Sequence, residues 1–338
     1  MRERKPRVVV LATPALFASF FDPRRRRHLS RRFRWTRSGA RGGSRALGAV
    51  LRDAEALVTT WDSPRFGEDL LLAAPRLRLV AHCGGEVKGR FARSLFERLT
   101  ITNAPDPMAP YVAELALAFL LLAARRIDEH RASLRGASNR AYREAHLHGC
   151  GEETLRGRTV GLVGFGRIGR AIAEGLRPFG ARVLVHDPYA SRAPVSRRPV
   201  SFLPLSRLLP RAEFLVLAAA LTDETRGLIG RRELARLPEG ATVVNVARGA
   251  LVDLEALTRE VRRGRLRCAL DVTDPLEPLP LRHPLRRLPG AVVTPHVGAG
   301  ARIVRLQMAD VVLATLERFF RGERLGNRVT RAMLARMT

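Results

Sequence analysis

Short apolar runs and helical patterns alternate over most of this chain. From Arg158 onward, six runs rich in valine, leucine and alanine have the length and composition of buried strands. Helical patterns fill most of the intervals, and strand and helix in strict alternation predict a parallel, doubly wound sheet. The predicted strands are TVGLVG (159–164), RVLVHD (182–187), EFLVLAA (213–219), TVVNVA (242–247), RCALDV (267–272) and AVVTP (291–295).

A smaller α/β unit is predicted near the N-terminus. A long helix is predicted over residues 108–134, a loop-like stretch follows it, and an amphipathic helix is predicted over 301–320. At about 150 residues per domain, the 338-residue length also favours two domains. The strands of the smaller unit are RVVVLAT (7–13), ALVTTW (56–61) and RLRLVAH (76–82), separated by helical or basic stretches.

Two apolar segments resemble export or membrane signals. The run at 7–13 follows several basic residues, as in a signal peptide, but no small-residue cleavage pattern follows it, and a first buried strand is the favoured interpretation. The stretch 111–124 contains Glu114 and is shorter than the ~20 residues of a membrane span, so we expect a buried or subunit-facing helix.

The cysteines indicate a reducing compartment. Cys83, Cys150 and Cys268 are too few and too scattered for a disulfide framework, so we expect a cytoplasmic protein. The run HLHGC (146–150) contains residue types that bind metals, but no second cluster accompanies it and the stretch is predicted as a loop. We therefore expect no metal site.

The net charge of +28 raises nucleic acid as a partner, because clustered cations attract polyanions. Arginine replaces lysine almost everywhere, with Lys5 and Lys88 as the only lysines, and this is typical of a coding bias. The densest basic run covers residues 24–45 and includes Phe33 and Trp35. A solvated helix and loop is its favoured interpretation, and a nucleic-acid patch is the alternative.

A glycine-rich turn follows the predicted strand at 159–164. Gly164, Gly166 and Gly169 have the GxGxxG spacing and open a helical pattern. The first glycine allows a tight turn, the second lets a pyrophosphate approach the backbone, and the third lets helix and strand pack closely. This turn predicts a dinucleotide site.

Asp187 ends the next predicted strand, 18 residues after Gly169. A carboxylate there can accept hydrogen bonds from the ribose hydroxyls of adenosine and would repel a 2′-phosphate. The sequence therefore predicts a preference for NAD over NADP, although His186 and Arg192 lie nearby.

Three polar residues follow predicted strands at the edge that holds the glycine turn. Arg248 follows TVVNVA, Glu277 lies in LDVTDPLEPLP, and His296 follows AVVTP. A histidine beside a carboxylate is a competent general acid and base, and a guanidinium can hold a carboxylate through two parallel hydrogen bonds. Together they suit hydride exchange between a 2-hydroxy acid and NAD.

Longer motifs follow one another in a specific order along the chain. They are TNAPDPMAPYVAELALAFLLLAARR, GRTVGLVGFGRIGRAIAEGLRPFGARVLVHDPY, LTDETRGLIG, NVARGALVD, ALDV, EPLP and TPHVGAG. With these motifs the chain resembles the D-isomer-specific 2-hydroxyacid dehydrogenases over nearly its whole length.

The resemblance implies roles for individual residues. Arg248 would bind the substrate carboxylate and carbonyl, His296 would donate or accept the proton, and Glu277 would be its carboxylate partner. The implied cofactor contacts are Asp271 at the nicotinamide amide, the backbone around Val246 in the same pocket, the amides of Arg167 and Ile168 at the pyrophosphate, and Thr225 near the cofactor.

The resemblance also implies a domain map. A discontinuous substrate domain, residues 1–106 with 300–338, would receive the NAD-binding domain, 107–299, as an insertion. The loop HCGGEVKG (82–89) would lie over the crevice, with the helix after Pro107 forming a homodimer interface. Backbone N–H groups of that loop would hold a carboxylate, with Lys88 assisting or exposed; they belong to Cys83, Gly84 and Gly85.

Three features depart from the family pattern. One residue more than usual separates Asp271 from Glu277, with Thr273 where an aromatic residue is frequent, so Asp274 is the alternative partner of the histidine. Ala220 stands where proline is common. The loop at 82–89 differs from the familiar glycine and aspartate loop, which leaves the substrate open.

We therefore expect two α/β, Rossmann-like domains and an NAD-dependent oxidoreductase. It would transfer a hydride between nicotinamide and C2 of a small D-2-hydroxy acid or the matching 2-oxo acid. The alternative is a dehydrogenase-like scaffold that acts as a corepressor-type or nucleic-acid-associated binding module. The basic run at 24–45 favours that alternative.

Overall fold

The structure is a computed structural model that describes residues 4–39, 44–134, 139–149, 154–190 and 200–337. Cys150 and Arg192 lie outside these ranges. The chain divides into two compact units, residues 1–108 with 300–338 (unit 1) and residues 109–299 (unit 2). Each unit contains one sheet.

The described residues form thirteen strands and thirteen α-helices. The strands are β1 (Arg7–Leu11), β2 (Arg34–Ser38), β3 (Ala56–Thr59), β4 (Leu79–His82), β5 (Thr100–Thr102), β6 (Thr159–Val163), β7 (Arg182–His186), β8 (Ser201–Phe202), β9 (Phe214–Leu217), β10 (Thr242–Asn245), β11 (Arg267–Leu270), β12 (Ala291–Val293) and β13 (Arg328–Val329).

The helices surround the two sheets. They are α1 (Pro14–Phe20), α2 (Pro23–Arg32), α3 (Ser44–Leu51), α4 (Asp69–Ala73), α5 (Leu95–Arg98), α6 (Ala109–Ala124), α7 (Ile127–Leu134), α8 (Asn139–His148), α9 (Arg167–Leu176), α10 (Leu205–Leu208), α11 (Arg231–Ala235), α12 (Leu254–Arg262) and α13 (Arg302–Phe320).

The sheet of unit 2 has the strand order β12-β11-β10-β9-β6-β7-β8. All of its neighbouring strands pair in parallel. The order reverses between β6 and β9, and ligands of open α/β sheets bind at such a reversal, beyond the carboxyl ends of the strands. The six strands predicted from residue 158 onward are all present, and the predicted fold class is confirmed.

Both faces of this sheet are buried, as a parallel sheet requires. Successive residues point to opposite faces, so Val243 packs into one core cluster and Val244 into the other. Leu257 of α12 belongs to the first cluster, and Ile172 of α9 belongs to the second.

Unit 1 has the strand order β13-β5-β4-β3-β1-β2. Its neighbours pair in parallel except β13, which runs antiparallel to β5. The strand order reverses between β1 and β3, which are parallel neighbours: β2 lies on one side of β1, and the later strands lie on the other. β2, β5, β8 and β13 were not predicted, because none of them is a clear apolar run.

The basic run at 24–45 contains a strand that the favoured interpretation missed. Residues 23–32 form α2, but β2 follows and pairs in parallel with β1 along the edge of the sheet, where Trp35 stacks on Phe17. Acidic residues of α13 pair with part of this run. Arg25 contacts Asp310, and His28 Nε2 lies 2.6 Å from Glu317 Oε1.

The prediction of one helix over 108–134 was wrong. α6 ends at Ala124, Arg126 adopts a left-handed backbone with φ of 48°, and α7 then begins at Ile127. The loop predicted after it contains α8, which includes the histidines of HLHGC. Alanine, arginine, glutamate and leucine favour a helix there.

α6 is an apolar helix of the unit 2 core. By length and composition, the helical stretch Asp106–Ala124 is the one described segment that could cross a membrane. α6 packs on α9, β10 and β11, and it buries Val112, Ala116 and Leu120. Because these residues of α6 are buried in the core of unit 2, the apolar composition of the helix agrees with the sequence prediction of a buried helix.

We predict that Leu162→Ala, in the middle of β6, lowers the free energy of unfolding by about 2–5 kcal/mol, because its side chain is fully buried and leaves a cavity. Leu281→Ala is the control, since Leu281 is 75% exposed and its loss should change stability by less than about 0.5 kcal/mol. Urea unfolding measures both. Equal effects of the two substitutions would contradict the described core.

Candidate active site

The turn after β6 has the shape that a dinucleotide site needs. Gly164 has φ of +95°, and a Cβ there would lie 2.5 Å from the backbone of Ala219 beyond β9. A Cβ on Gly169 would lie 2.2 Å from Gly164 O, so α9 can start close to the strand only with glycine there. A Cβ on Gly166 would meet no atom within 4 Å. The space beside Gly166 is therefore open to a ligand, at the N-terminus of α9.

Asp187 lies just after β7, beside this turn. Its Oδ2 accepts a hydrogen bond from Phe165 N at 2.7 Å, and its Oδ1 accepts one from Tyr189 N at 2.8 Å. The carboxylate is thereby fixed next to the glycine turn. His186 is directed elsewhere, because its Nδ1 lies 3.2 Å from Leu203 O.

At the mouth of the turn, Arg167 is exposed and Ile168 is half-buried. Thr225 serves its own loop: its hydroxyl donates to Ala220 O at 2.7 Å and accepts from Thr222 N at 2.8 Å. Val246 is buried directly after β10. The structure thus gives Thr225 a loop-stabilising contact, while its predicted cofactor contact stays a prediction.

Arg248 lies three residues beyond the end of β10. It is half-buried, and one of its guanidinium nitrogens donates to Ala247 O at 2.7 Å. The next residue, Gly249, lies against the segment after β11, because a Cβ there would be 2.1 Å from the carbonyl carbon of Thr273. Gly249 therefore lets the arginine segment and the segment that leads to Glu277 run side by side.

The imidazole of His296 lies beside the carboxyl group of Glu277. His296 Nδ1 lies 3.2 Å from Glu277 Oε1, with about half of each side chain accessible (49% and 40%). His296 has φ of 54°, a left-handed backbone that is uncommon outside glycine, although histidine, asparagine and aspartate adopt it more often than other residues. Of the two carboxylates weighed from the sequence, Glu277 is the one that pairs with the imidazole.

Asp271 lies at the end of β11 and shapes the segment that carries His296. Its side chain is 2% exposed and accepts hydrogen bonds from Thr294 Oγ1 at 2.6 Å, from Val297 N at 2.8 Å and from Gly298 N at 2.9 Å. Its main-chain oxygen accepts from His296 N at 2.9 Å. The resemblance implied a nicotinamide contact for Asp271, and the structure adds this bracing of residues 294–298.

The loop after β4 in unit 1 contradicts one part of its predicted role and leaves the other part untested. The amide of Cys83 donates to Thr59 O at 2.8 Å, so it continues the strand ladder and is not available to a carboxylate, contrary to expectation. Burial also raises the pKa of the Cys83 thiol. Gly84 O and Gly85 O accept hydrogen bonds from Ala104 N and Asn103 Nδ2. Carboxylate binding by the amides of Gly84 and Gly85 stays a prediction.

Two further residues of the loop at 82–89 are His82 and Lys88. His82 is buried, and desolvation together with the charge of Arg90 lowers its pKa to about 3. A Cβ on Gly84 would lie 2.5 Å from His82 Nε2, so this glycine makes room for the neutral imidazole. Lys88 is half-buried, and its Nζ lies 3.4 Å from Met337 O.

Asn245 and Gly249 are functional candidates that the sequence analysis did not select. Both lie inside NVARGALVD. For Gly249, its place directly after Arg248 was the signal that the sequence offered. Among the residues that the structure describes, no group of three or more His, Cys, Asp or Glu side chains could hold a metal ion. Cys150, considered with the histidines of α8, lies outside that part of the chain.

The model of the D-isomer specific 2-hydroxyacid dehydrogenase, NAD binding domain, matches residues 117–298. The chain belongs to this family. The family places an NAD-binding domain on the part of unit 2 that contains the glycine turn, Asp187, Arg248, Glu277 and His296. The predicted family and the NAD cofactor are confirmed.

Individual relatives agree with this assignment. The chain is 34% identical to a glyoxylate reductase of Korarchaeum cryptofilum, over 81% of this chain and 82% of that protein. It is 38% identical to a D-3-phosphoglycerate dehydrogenase of Mycobacterium leprae over 74% of this chain, but the match spans only 46% of that longer protein. A crystal structure of an NADPH-dependent glyoxylate/hydroxypyruvate reductase from Sinorhizobium meliloti, in complex with NADP and malonate, is 26% identical, with a TM-score of 0.75 and coverage of 99% of this chain and 98% of that one.

We predict that Gly166→Ala and Gly169→Ala fail in different ways. A methyl group on Gly166 meets no protein atom within 4 Å, so it should leave the melting temperature unchanged and weaken NADH binding by occupying ligand space. A methyl group on Gly169 collides with Gly164 O, so it should lower the melting temperature.

Thermal unfolding without cofactor and fluorescence titration with NADH separate the two effects. Gly48→Ala is the matched control, because Gly48 lies on α3 and a methyl group there would also meet no atom within 4 Å. Unaltered NADH affinity in Gly166→Ala would contradict the role given to this turn.

Proposed function

We propose that this chain is an NAD-dependent D-2-hydroxyacid dehydrogenase that interconverts a small 2-oxo acid and the matching D-2-hydroxy acid. The observation that carries the proposal is the 3.2 Å pair between His296 Nδ1 and Glu277 Oε1 in the unit that the NAD-binding family model matches. A histidine held by a carboxylate at the binding edge of a parallel sheet is equipped to exchange a proton with a substrate oxygen.

The pair divides the two imidazole nitrogens between two tasks. Glu277 Oε1 accepts from Nδ1 of His296, so this carboxylate fixes the orientation and the tautomer of the ring. Nε2 is then the nitrogen left for the substrate. In the reductive direction it donates a proton to the carbonyl oxygen at C2, and in the oxidative direction it removes the hydroxyl proton.

Arg248 supplies the binding contact in this proposal. A guanidinium has donors in a planar fork that matches a carboxylate, and its charge polarises a neighbouring carbonyl. One guanidinium nitrogen donates to Ala247 O, and Gly249 lets this segment lie close to the one that precedes Glu277. The 2-oxo acid would therefore be oriented by its carboxylate while His296 exchanges the proton.

The residues around the glycine turn fit a dinucleotide. The open space beside Gly166, the start of α9 and the fixed carboxylate of Asp187 are suited to a pyrophosphate and an adenosine ribose. When bound, the nicotinamide supplies or accepts the hydride at C2. Asp187 supports NAD rather than NADP, since its charge would repel a 2′-phosphate.

The relatives support a small substrate. The glyoxylate reductase matches over most of its length, whereas the chain spans about half of the phosphoglycerate dehydrogenase. We therefore propose a 2-oxo acid of the size of glyoxylate or hydroxypyruvate. The resemblance and the half-buried Leu122 of α6 support a homodimer through that helix. The cysteine usage supports a cytoplasmic location.

We predict that His296→Ala lowers kcat for NADH-dependent reduction of glyoxylate and hydroxypyruvate about 10²- to 10⁴-fold, because the proton donor is lost. The Kd of NADH should change little. Glu277→Gln should cause a smaller loss, since the imidazole remains but loses the carboxylate that orients it. Spectrophotometric assays with glyoxylate, hydroxypyruvate, pyruvate and bulkier 2-oxo acids measure both effects and rank the substrates.

His28→Ala is the matched control. His28 also pairs with a glutamate, at 2.6 Å from Glu317, but it lies in unit 1 on α2. Its loss should leave kcat unchanged. A His296→Ala enzyme as active as His28→Ala would refute the assigned proton donor.

We predict that Asp187→Ser raises kcat/KM with NADPH relative to NADH, because it removes the charge that opposes the 2′-phosphate. The same assay with each cofactor measures the ratio. The matched control is Asp253→Ser, which removes a carboxylate that caps α12 through Ala256 N. Equal use of NADPH and NADH by the unsubstituted enzyme would overturn the proposed preference.

A further inference from the structure

Asn245 is the last residue of β10, and it is fully buried. Its side-chain amide bridges two groups of the segment that follows. Nδ2 donates to Arg248 O at 2.9 Å, and Oδ1 accepts from Ala247 N at 3.0 Å. The carboxamide thus closes residues 245–248 into one hydrogen-bonded turn, and this turn presents Arg248.

The same residue is bonded to the next strand. Asn245 O accepts from Asp271 N at 2.9 Å, and Asp271 O accepts from His296 N at 2.9 Å. A continuous series of hydrogen bonds therefore joins the backbone of Arg248 to that of His296, through Asn245 and Asp271. Hydrogen-bonded networks built around buried polar groups of this kind hold their members in one arrangement.

We propose that Asn245 is a positioning residue for the reaction: its carboxamide sets the backbone of Arg248, and with it the place of the guanidinium that holds the substrate carboxylate. The inference rests on the proposed function of Arg248. It adds a residue that touches neither substrate nor cofactor in this proposal and that acts through the turn it closes.

Few side chains can replace this amide. The turn needs a donor for Arg248 O and an acceptor for Ala247 N, both supplied by one short side chain. An ionised aspartate has the same shape but only acceptors, and it would face Arg248 O without a proton between them. A protonated aspartic acid has one donor and one acceptor again.

The experiment compares Asn245→Ala and Asn245→Asp with the unsubstituted enzyme. Misplacement of a binding group by about 1 Å costs up to ~10²-fold, so we expect kcat/KM for the 2-oxo acid to fall about ten- to a hundredfold in both variants. The KM for the 2-oxo acid should rise more than the Kd of NADH, which is titrated without substrate. A merely structural role would lower the melting temperature and leave these kinetic constants alone.

The pH profile gives a second readout that does not depend on Asn245→Ala folding. The ratio of kcat/KM for Asn245→Asp to that of the unsubstituted enzyme, measured in the reductive direction, should rise as the pH is lowered. Protonation of the aspartate restores the donor to Arg248 O, and the ratio cancels the titration of groups that both enzymes share. A ratio that stays flat from alkaline to acidic pH would overturn the inference.

Two controls identify which claim fails. Thr258→Val removes a buried hydroxyl that donates to Leu254 O within α12, and it should affect stability alone. Arg248→Ala tests the contact on which the inference rests. If Arg248→Ala keeps its affinity for the 2-oxo acid, the proposed function of Arg248 fails. If it is impaired while both Asn245 variants behave as Thr258→Val does, only the positioning role of Asn245 fails.

Discussion

A carboxylate that is removed from water must find hydrogen-bond donors, and this need shapes the candidate active site. The side chain of Asp271 is almost completely buried at the end of β11, and it takes its three donors from residues 294–298. Those bonds fold the chain back after β12 and carry His296 to Glu277. The position of the histidine thus depends on the buried carboxyl group that follows the neighbouring strand β11.

The parallel sheet supplies the second condition. Arg248, Asp271 and His296 are far apart along the chain, but β10, β11 and β12 are successive neighbours, so their carboxyl ends lie side by side. Glycines let the connecting segments approach one another at the same edge. Gly164 meets the backbone beyond β9, and Gly249 meets the segment after β11. The site is therefore built mainly from main-chain contacts at strand ends.

Much of this arrangement could be predicted from the sequence. Buried parallel strands are continuous apolar runs, so β6, β9 and β10 were evident, and the glycine spacing located the turn. The edge strand β2 was missed because its arginines and its half-exposed side chains give no apolar run. The helix break at Arg126 also left no signal, since arginine has no preference for a left-handed backbone.

Hydrogen bonds of the backbone set the limit of such prediction within the site. The amide of Cys83 is taken by the strand ladder, and Asn245 is engaged by a turn, yet neither fact is visible in residue types. Glu277 and Asp274 were both candidates from spacing, and only the path of the chain after β11 distinguishes them. Residue types indicate which reaction a site could perform, whereas the geometry of the site depends on hydrogen-bond partners that are remote in sequence.

The left-handed backbone of His296 limits which residues can replace it. Glycine and asparagine adopt this conformation readily, whereas β-branched residues do so only under strain. A substitution at position 296 could therefore keep the backbone of this loop most easily if it introduced one of those two residues. Valine or isoleucine at position 296 would instead destabilise the folded loop, by about 1–2 kcal/mol.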